Sequence, residues 1–152
     1  MRLLLLPLLL LAACQTHSQW NYCNIPAKGK NVCTRAIYKS SDEVLGIDIE
    51  FLQTSKGLAT YLHMHTPAHE DAQILFKGKQ GTTSFTLPIH KGGDRIRLSK
   101  EMQGELIALL KDAELITIEV DGCSETLKVA DFKKILKKLG NPPFQSPFHL
   151  FF

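Results

Sequence analysis

Three histidines come closest to a group that could do chemistry. His63 and His65 stand two residues apart, and His69, Glu70 and Asp71 follow closely. On an extended strand, residues two apart face the same way. Two imidazoles so placed can bind zinc or copper, with His69, Glu70 or Asp71 completing the shell. That needs the chain to fold back after Pro67, and the sequence lacks the fixed four-ligand spacing of a structural zinc site. The plainer alternative is a pair of exposed polar residues on the polar face of a strand, opposite Leu62 and Met64.

Other chemistry is scarce. There is no Gly-x-Ser-x-Gly elbow and no His-Glu-x-x-His helix. No glycine-rich phosphate loop follows a strand. The sequence therefore points to a protein that is not an enzyme, and it calls for no cofactor.

The opening stretch is more specific. Arg2 is followed by an apolar run from Leu3 to Leu11, interrupted by Pro7, and then by Ala12-Ala13-Cys14. A short basic start, an apolar core and small residues before a cleavage point form a secretory signal. The run is too short to span a bilayer, which takes about 20 apolar residues. Leu11-Ala12-Ala13-Cys14 resembles the lipobox of bacterial lipoproteins. The resemblance implies a signal peptide over residues 1–13, cleavage before Cys14 and acylation of that cysteine, so the lipid bilayer is the expected partner. Two or three acyl chains, at about 0.8 kcal/mol per buried CH₂, anchor a protein durably without a spanning helix. Gln15 in place of Asp implies sorting to the outer membrane of the cell envelope rather than retention at the inner one. An ordinary signal peptide with a chance cysteine is the alternative.

Removal of residues 1–13 from the 152 leaves 139, enough for one domain with a real core. Arg2 carries one of the +3 net charges, so the mature chain carries +2. That is not the basic excess of a nucleic-acid binder. Outside the cytoplasm disulfides persist. With Cys14 acylated, Cys23, Cys33 and Cys123 remain, an odd number. Cys23 and Cys33 bracket a segment containing Pro26 and Gly29 that reads as a loop, so this pair is the expected disulfide. Closing so short a loop contributes up to about 3 kcal/mol. Cys123 with either of them is the rival pairing. A redox cysteine is disfavoured, because Cys-x-x-Cys is absent.

Around these residues the pattern is mostly of period two. Gln15 to Gln19 reads as a short tether, within a tether and loop covering residues 14–30. Trp20 and Tyr22 look like the start of packed structure. The β-rich domain is expected over residues 31–140. Ile47, Ile49 and Phe51 alternate with Asp48 and Glu50 as in a half-buried strand. Thr54-Ser55-Lys56-Gly57 reads as a hairpin turn into a strand that ends at Thr66-Pro67. Further strands are expected over 74–77 and 84–89, the latter at a sheet edge because Pro88 lacks a ladder donor. Ser99 looks like the N-cap of an amphipathic helix over residues 100–112. Residues 115–120 and 123–129 form a hairpin through Asp121-Gly122. Asp131 is expected to cap a last helix, buried through Phe132, Ile135, Leu136 and Leu139, with Lys133, Lys134, Lys137 and Lys138 opposite. That row is either a solvated face or a contact for anionic headgroups. The fold class is therefore mainly β (α+β): an antiparallel sandwich or partly open barrel with two helices late in the chain.

Residues 141–152 are rich in Pro and Phe. Phe148, Leu150 and Phe152 alternate, which resembles the terminal signal of outer-membrane β-barrel proteins. Asp48, Glu50, Arg95 and Arg97 would then face lipid, where charge is costly, so a membrane barrel is excluded. The tail either packs back on the domain or offers a docking strip to a partner. The order of Trp20, Cys23, Cys33, alternating strands and a helix from Phe132 to Leu139 resembles the invasion-associated locus B family of exported bacterial proteins. That resemblance implies a β-rich sandwich with a role at the host-facing envelope. The expected function is a membrane-anchored envelope lipoprotein acting as a non-catalytic binding or structural module toward other envelope or host proteins. A periplasmic metal-binding protein using the His-x-His pair is the alternative.

Overall fold

In the computed structural model, the described residues are 20–26, 32–69, 71–86 and 93–140. They form nine strands and two helices: β1 (Trp20–Pro26), β2 (Val32–Tyr38), β3 (Ile47–Thr54), β4 (Gly57–Met64), β5 (Gln73–Gly78), β6 (Gly81–Thr86), β7 (Arg95–Arg97), α1 (Lys100–Asp112), β8 (Leu115–Val120), β9 (Cys123–Lys128) and α2 (Val129–Gly140). The strands make two antiparallel sheets that do not close into a barrel. One has the order β1-β2-β3-β4-β7 and the other β6-β5-β8-β9. Among the described residues, no helix is long and apolar enough to cross a membrane.

Alternation along the strands decides which face is packed. Ile47, Ile49 and Phe51 of β3 and Leu62 of β4 are fully buried, as are Ile74, Phe76 and Ile118 of the second sheet. They join Leu106 of α1 and Phe132 of α2 in one core. Each such side chain contributes roughly 1.5–3 kcal/mol through loss of contact with water. Ser99 caps α1 as its position predicts, its hydroxyl accepting from the Met102 N–H at 3.2 Å. Asp121 and Gly122 take φ of 47° and 87°, the left-handed conformations that a primed hairpin turn requires.

Two boundaries differ from expectation. The sheet already includes Trp20–Pro26, which the sequence placed in the tether and loop before residue 31. Trp20–Pro26 is a strand in register with β2, Trp20 opposite Tyr38 and Pro26 opposite Val32. An aromatic cluster holds it there. The Trp20 ring lies 5.3 Å from Tyr38, 5.9 Å from Phe51 and 5.5 Å from Phe132. The last helix begins at Val129, so Asp131 is inside its first turn and not at the cap. Val129 is buried, and its N–H donates to the Glu114 carbonyl at 3.0 Å. A tertiary hydrogen bond thus satisfies a helix-end donor that a capping side chain would otherwise serve. Pro88, and the tail over residues 141–152, lie outside the described residues, although β6 is an edge strand as expected.

The sheets are joined by a polar link. The Tyr38 hydroxyl of β2 donates to Glu125 Oε1 of β9 at 2.9 Å, and the Ser40 hydroxyl bonds Oε2. Burial, with the hydrogen bond to Glu125 and its charge, holds the Tyr38 phenol far above its usual value. It stays a neutral donor at any physiological pH.

Candidate functional site

The outer face of the five-stranded sheet, turned away from the core, carries the densest set of charged side chains. It follows from period two. With Ile47, Ile49 and Phe51 inward, Asp48 and Glu50 point outward. The two-residue turn at Ser55-Lys56 then sets the register of β3 on β4, placing Asp48 opposite His63 and Glu50 opposite Tyr61. β2 adds Arg35, the residue just after it Lys39, and β7 adds Arg95 and Arg97, with Arg95 opposite His63.

Asp48 and Glu50 are only 4% and 5% exposed although, among the described residues, no helix or strand lies over them. Their neighbours' long side chains bury them. Glu50 Oε1 accepts from Arg35 Nε at 2.6 Å. Its Oε2 accepts from His63 Nε2 at 2.7 Å and from Arg95 at 3.3 Å. Asp48 accepts from Lys39 Nζ at 2.5 Å, from the Ser40 N–H at 2.9 Å and from His65 Nε2 at 3.1 Å. Arg95 also stacks 4.0 Å above the Tyr61 ring. Burial pushes both carboxyls up, but the donors outweigh it. Lys39, Ser40 and His65 hold Asp48 below the usual carboxylate range, and His63 and Arg35 do the same for Glu50.

The histidines are thus donors to carboxylates. An ionised carboxylate only accepts, so His63 presents Nε2–H to Glu50. The ring of His65 is bracketed by two acceptors, the Asp42 carbonyl 2.6 Å from Nδ1 and Asp48 Oδ1 3.1 Å from Nε2. Both contacts are satisfied when both nitrogens carry hydrogen. His69 does not join them. Its N–H and Nδ1 meet Asp121 Oδ2 at 2.7 and 2.6 Å, at the hairpin of the second sheet. The His69 N–H is the main reason Asp121 lies below its usual range. Among the described residues no group of three or more His, Cys, Asp or Glu side chains is arranged to hold a metal ion. Glu70 lies outside the described residues. His63 Nε2, both ring nitrogens of His65 and His69 Nδ1 are engaged by these carboxylate and carbonyl oxygens.

The cysteines also differ from expectation. Cys23 and Cys33 are free, and no disulfide joins them. The register explains this. Cys23 stands opposite Arg35 and Cys33 opposite Ile25, so the two are diagonal neighbours on the same face. Diagonal positions lie about 7–8 Å apart, beyond the Cα separation that a disulfide bridges without moving the backbone. Cys123 is buried, its thiol 3.6 Å from the Thr66 carbonyl. Cys14, with the leader and the tether to Gln19, lies outside the described residues.

A polar opening of about 330 Å³ is lined by Asp71, Gln73, Glu119, Asp121 and Gly122. Two of its charges are already partnered, Glu119 by Lys77 at 2.6 Å and Asp121 by His69. It holds no nucleophile beside a base. The outer sheet face is different in kind. Two buried anions form its floor, and half-exposed cations form its rim: Arg35, Lys39 and Arg95 are 34%, 56% and 49% exposed. Arg97, exposed beyond them, adds a further donor. Arg35, Lys39 and Arg95 are each held from below by one of these carboxylates, so the face presents positive charge outward. The sequence showed the same-face histidines. It also held the means to find their partners, since the turn at Ser55-Lys56 fixes which residues of β3 and β4 oppose one another. Comparison of the chain with protein-family models, with curated proteins and with solved structures finds no match.

Proposed function

We propose that the chain is a lipid-anchored protein of the bacterial cell envelope, and that its domain is a non-catalytic module that binds other envelope or host proteins. The observation that carries the reading is Leu11-Ala12-Ala13-Cys14 at the end of an apolar leader. A thiol at that position is the acceptor that lipoprotein processing needs. The outer membrane is the destination favoured by Gln15. The outer face of the five-stranded sheet is the surface we assign to partner binding. Support for a binding role comes from its outward-facing cationic rim and from the lack of catalytic motifs in the sequence.

Fractionation of host cells tests the anchor. The wild-type chain should pellet with membranes and resist extraction by 1 M salt. A Cys14→Ala chain should stay uncleaved or leave the membrane fraction. Equal behaviour of the two would refute acylation at Cys14. Arg97→Glu tests the face, because Arg97 is exposed there and its replacement leaves the Asp48 and Glu50 contacts in place. Crosslinked complexes on intact cells should fall severalfold for Arg97→Glu and stay unchanged for Lys56→Glu.

A further inference from the structure

The four lysines of α2 occupy one side of the helix. Lys133 and Lys137, and Lys134 and Lys138, are pairs four residues apart, and all four are exposed. The opposite side, Phe132, Ile135 and Leu139, is buried. Among the described residues none of the four lysines is paired with a carboxylate. The row is an uncompensated strip of positive charge on a firmly seated helix.

Its place in the fold gives it meaning. Strand β1, the first described element after Cys14, lies along α2. Trp20 packs against Phe132 near the start of the helix. The Tyr22 hydroxyl donates to the Lys138 carbonyl near its end at 3.3 Å, and Lys138 Nζ lies 5.3 Å from the Tyr22 ring. The chain therefore leaves the domain toward Cys14 beside the lysine strip. Six Cα steps separate Cys14 from Trp20, a reach of at most about 21 Å. A lipid on Cys14 keeps Trp20 within that distance of the bilayer. Lysine side chains next to it can then come within the screening length of about 8 Å at physiological salt. Each lysine near an anionic leaflet strengthens attachment roughly fivefold, the equivalent of about 1 kcal/mol.

We propose that α2 is a second membrane contact: Lys133, Lys134, Lys137 and Lys138 dock the domain on an anionic bilayer beside the acylated Cys14. The proposal rests on the lipoprotein reading. It also fixes an orientation. α2 packs on the inner face of the five-stranded sheet, through Phe132 on Phe51 at 4.9 Å. Docking by α2 turns the charged outer face of that sheet away from the membrane, where a partner can reach it.

The test uses the full acylated chain, reconstituted into vesicles of phosphatidylethanolamine with one-third phosphatidylglycerol, and separately into vesicles of phosphatidylcholine alone. A water-soluble acetylating reagent labels exposed lysines, and peptide mass spectrometry reads each site. Lys56, on a turn at the other end of the sheet from Trp20, is the reference. In anionic vesicles the four α2 lysines should label about fivefold less than in neutral ones, with Lys56 unchanged. Protection should vanish in 1 M salt, where the screening length falls to about 3 Å. Equal labelling in both vesicles, with the chain still retained at 1 M salt, would leave the anchor standing and overturn the docking. Protection in anionic vesicles by a chain that 1 M salt strips off would support the docking and overturn the anchor. A chain that binds neither vesicle overturns both.

Discussion

At the scale of single residues, Glu50 is the centre of the charged face. Three donors from three strands converge on it: Arg35, His63 and Arg95. Glu50→Gln leaves the positive charges of Arg35 and Arg95 facing each other over a buried amide. The donors are a third to a half exposed, so water recovers part of the loss. The expected cost is about 1–3 kcal/mol, read from urea unfolding against wild type. Lys56→Gln, on an exposed turn, should change stability by less than about 0.5 kcal/mol. The lowered carboxyls of Asp48 and Glu50 give a pH dependence of definite sign. A group whose folded value lies below its unfolded one stabilises above the unfolded value, about 4 for a carboxylate. That stabilisation is lost as pH falls through the folded value. The urea midpoint should be level from pH 7 to 5 and fall below pH 4. In Asp48→Asn with Glu50→Gln the fall should be shallower. An identical fall in both proteins would show that these two carboxylates are not the groups responsible. Period two alone put His63 and His65 on one face, and that much was legible. Their commitment to Glu50 and Asp48 was not read, because each contact runs diagonally across the β3–β4 register rather than along one strand.

At the scale of elements, α2 and β1 depend on each other. Phe132 touches both Trp20 and Phe51. Phe132→Ala should cost about 3–5 kcal/mol and loosen β1 before the rest of the sheet. Trp20 is the only tryptophan in the chain, so its fluorescence reports directly on that strand. A red shift at urea concentrations where circular dichroism is still native is the expected result. Coincident transitions would place β1 in the same cooperative unit as the core. The clearest elements in the sequence were those with internal periodicity and good punctuation. α1 has its capping Ser99, β3 and β4 their hairpin, and β8 and β9 their Asp121-Gly122 turn. β1 was hidden because Trp20-Asn21-Tyr22-Cys23-Asn24-Ile25-Pro26 has no clean apolar alternation: of its described side chains only Trp20 is buried. Asn24 is exposed, and the buried Thr34 hydroxyl opposite it donates to its side-chain oxygen at 3.4 Å. The start of α2 was misplaced for another reason. Glu114, distant in sequence, supplies the acceptor at its first turn.

At the scale of the molecule, the sequence left open whether the strands close into a barrel. The pairings that decide it join segments far apart in the chain. β7 pairs with β4, and β8 with β5. No local pattern specifies such partners; they follow from how the two inner faces share one core with α1 and α2. The resulting molecule is polar in its layout. Strand β1 and the lysines of α2 lie where the chain departs toward Cys14, and the charged sheet face lies on the other side of the sheet from α2. Both assignments hang on Cys14 being the mature amino terminus. The most direct measurement is the intact mass of the protein from its host's envelope, taken with and without reductant. The expected species begins at Cys14, carries a lipid-sized increment of two or three acyl chains, and has the same mass in both states because Cys23, Cys33 and Cys123 are free thiols. A chain cut elsewhere or carrying no lipid would contradict the anchor, and with it the orientation drawn from α2. A loss of two hydrogens without reductant would contradict the free thiols alone.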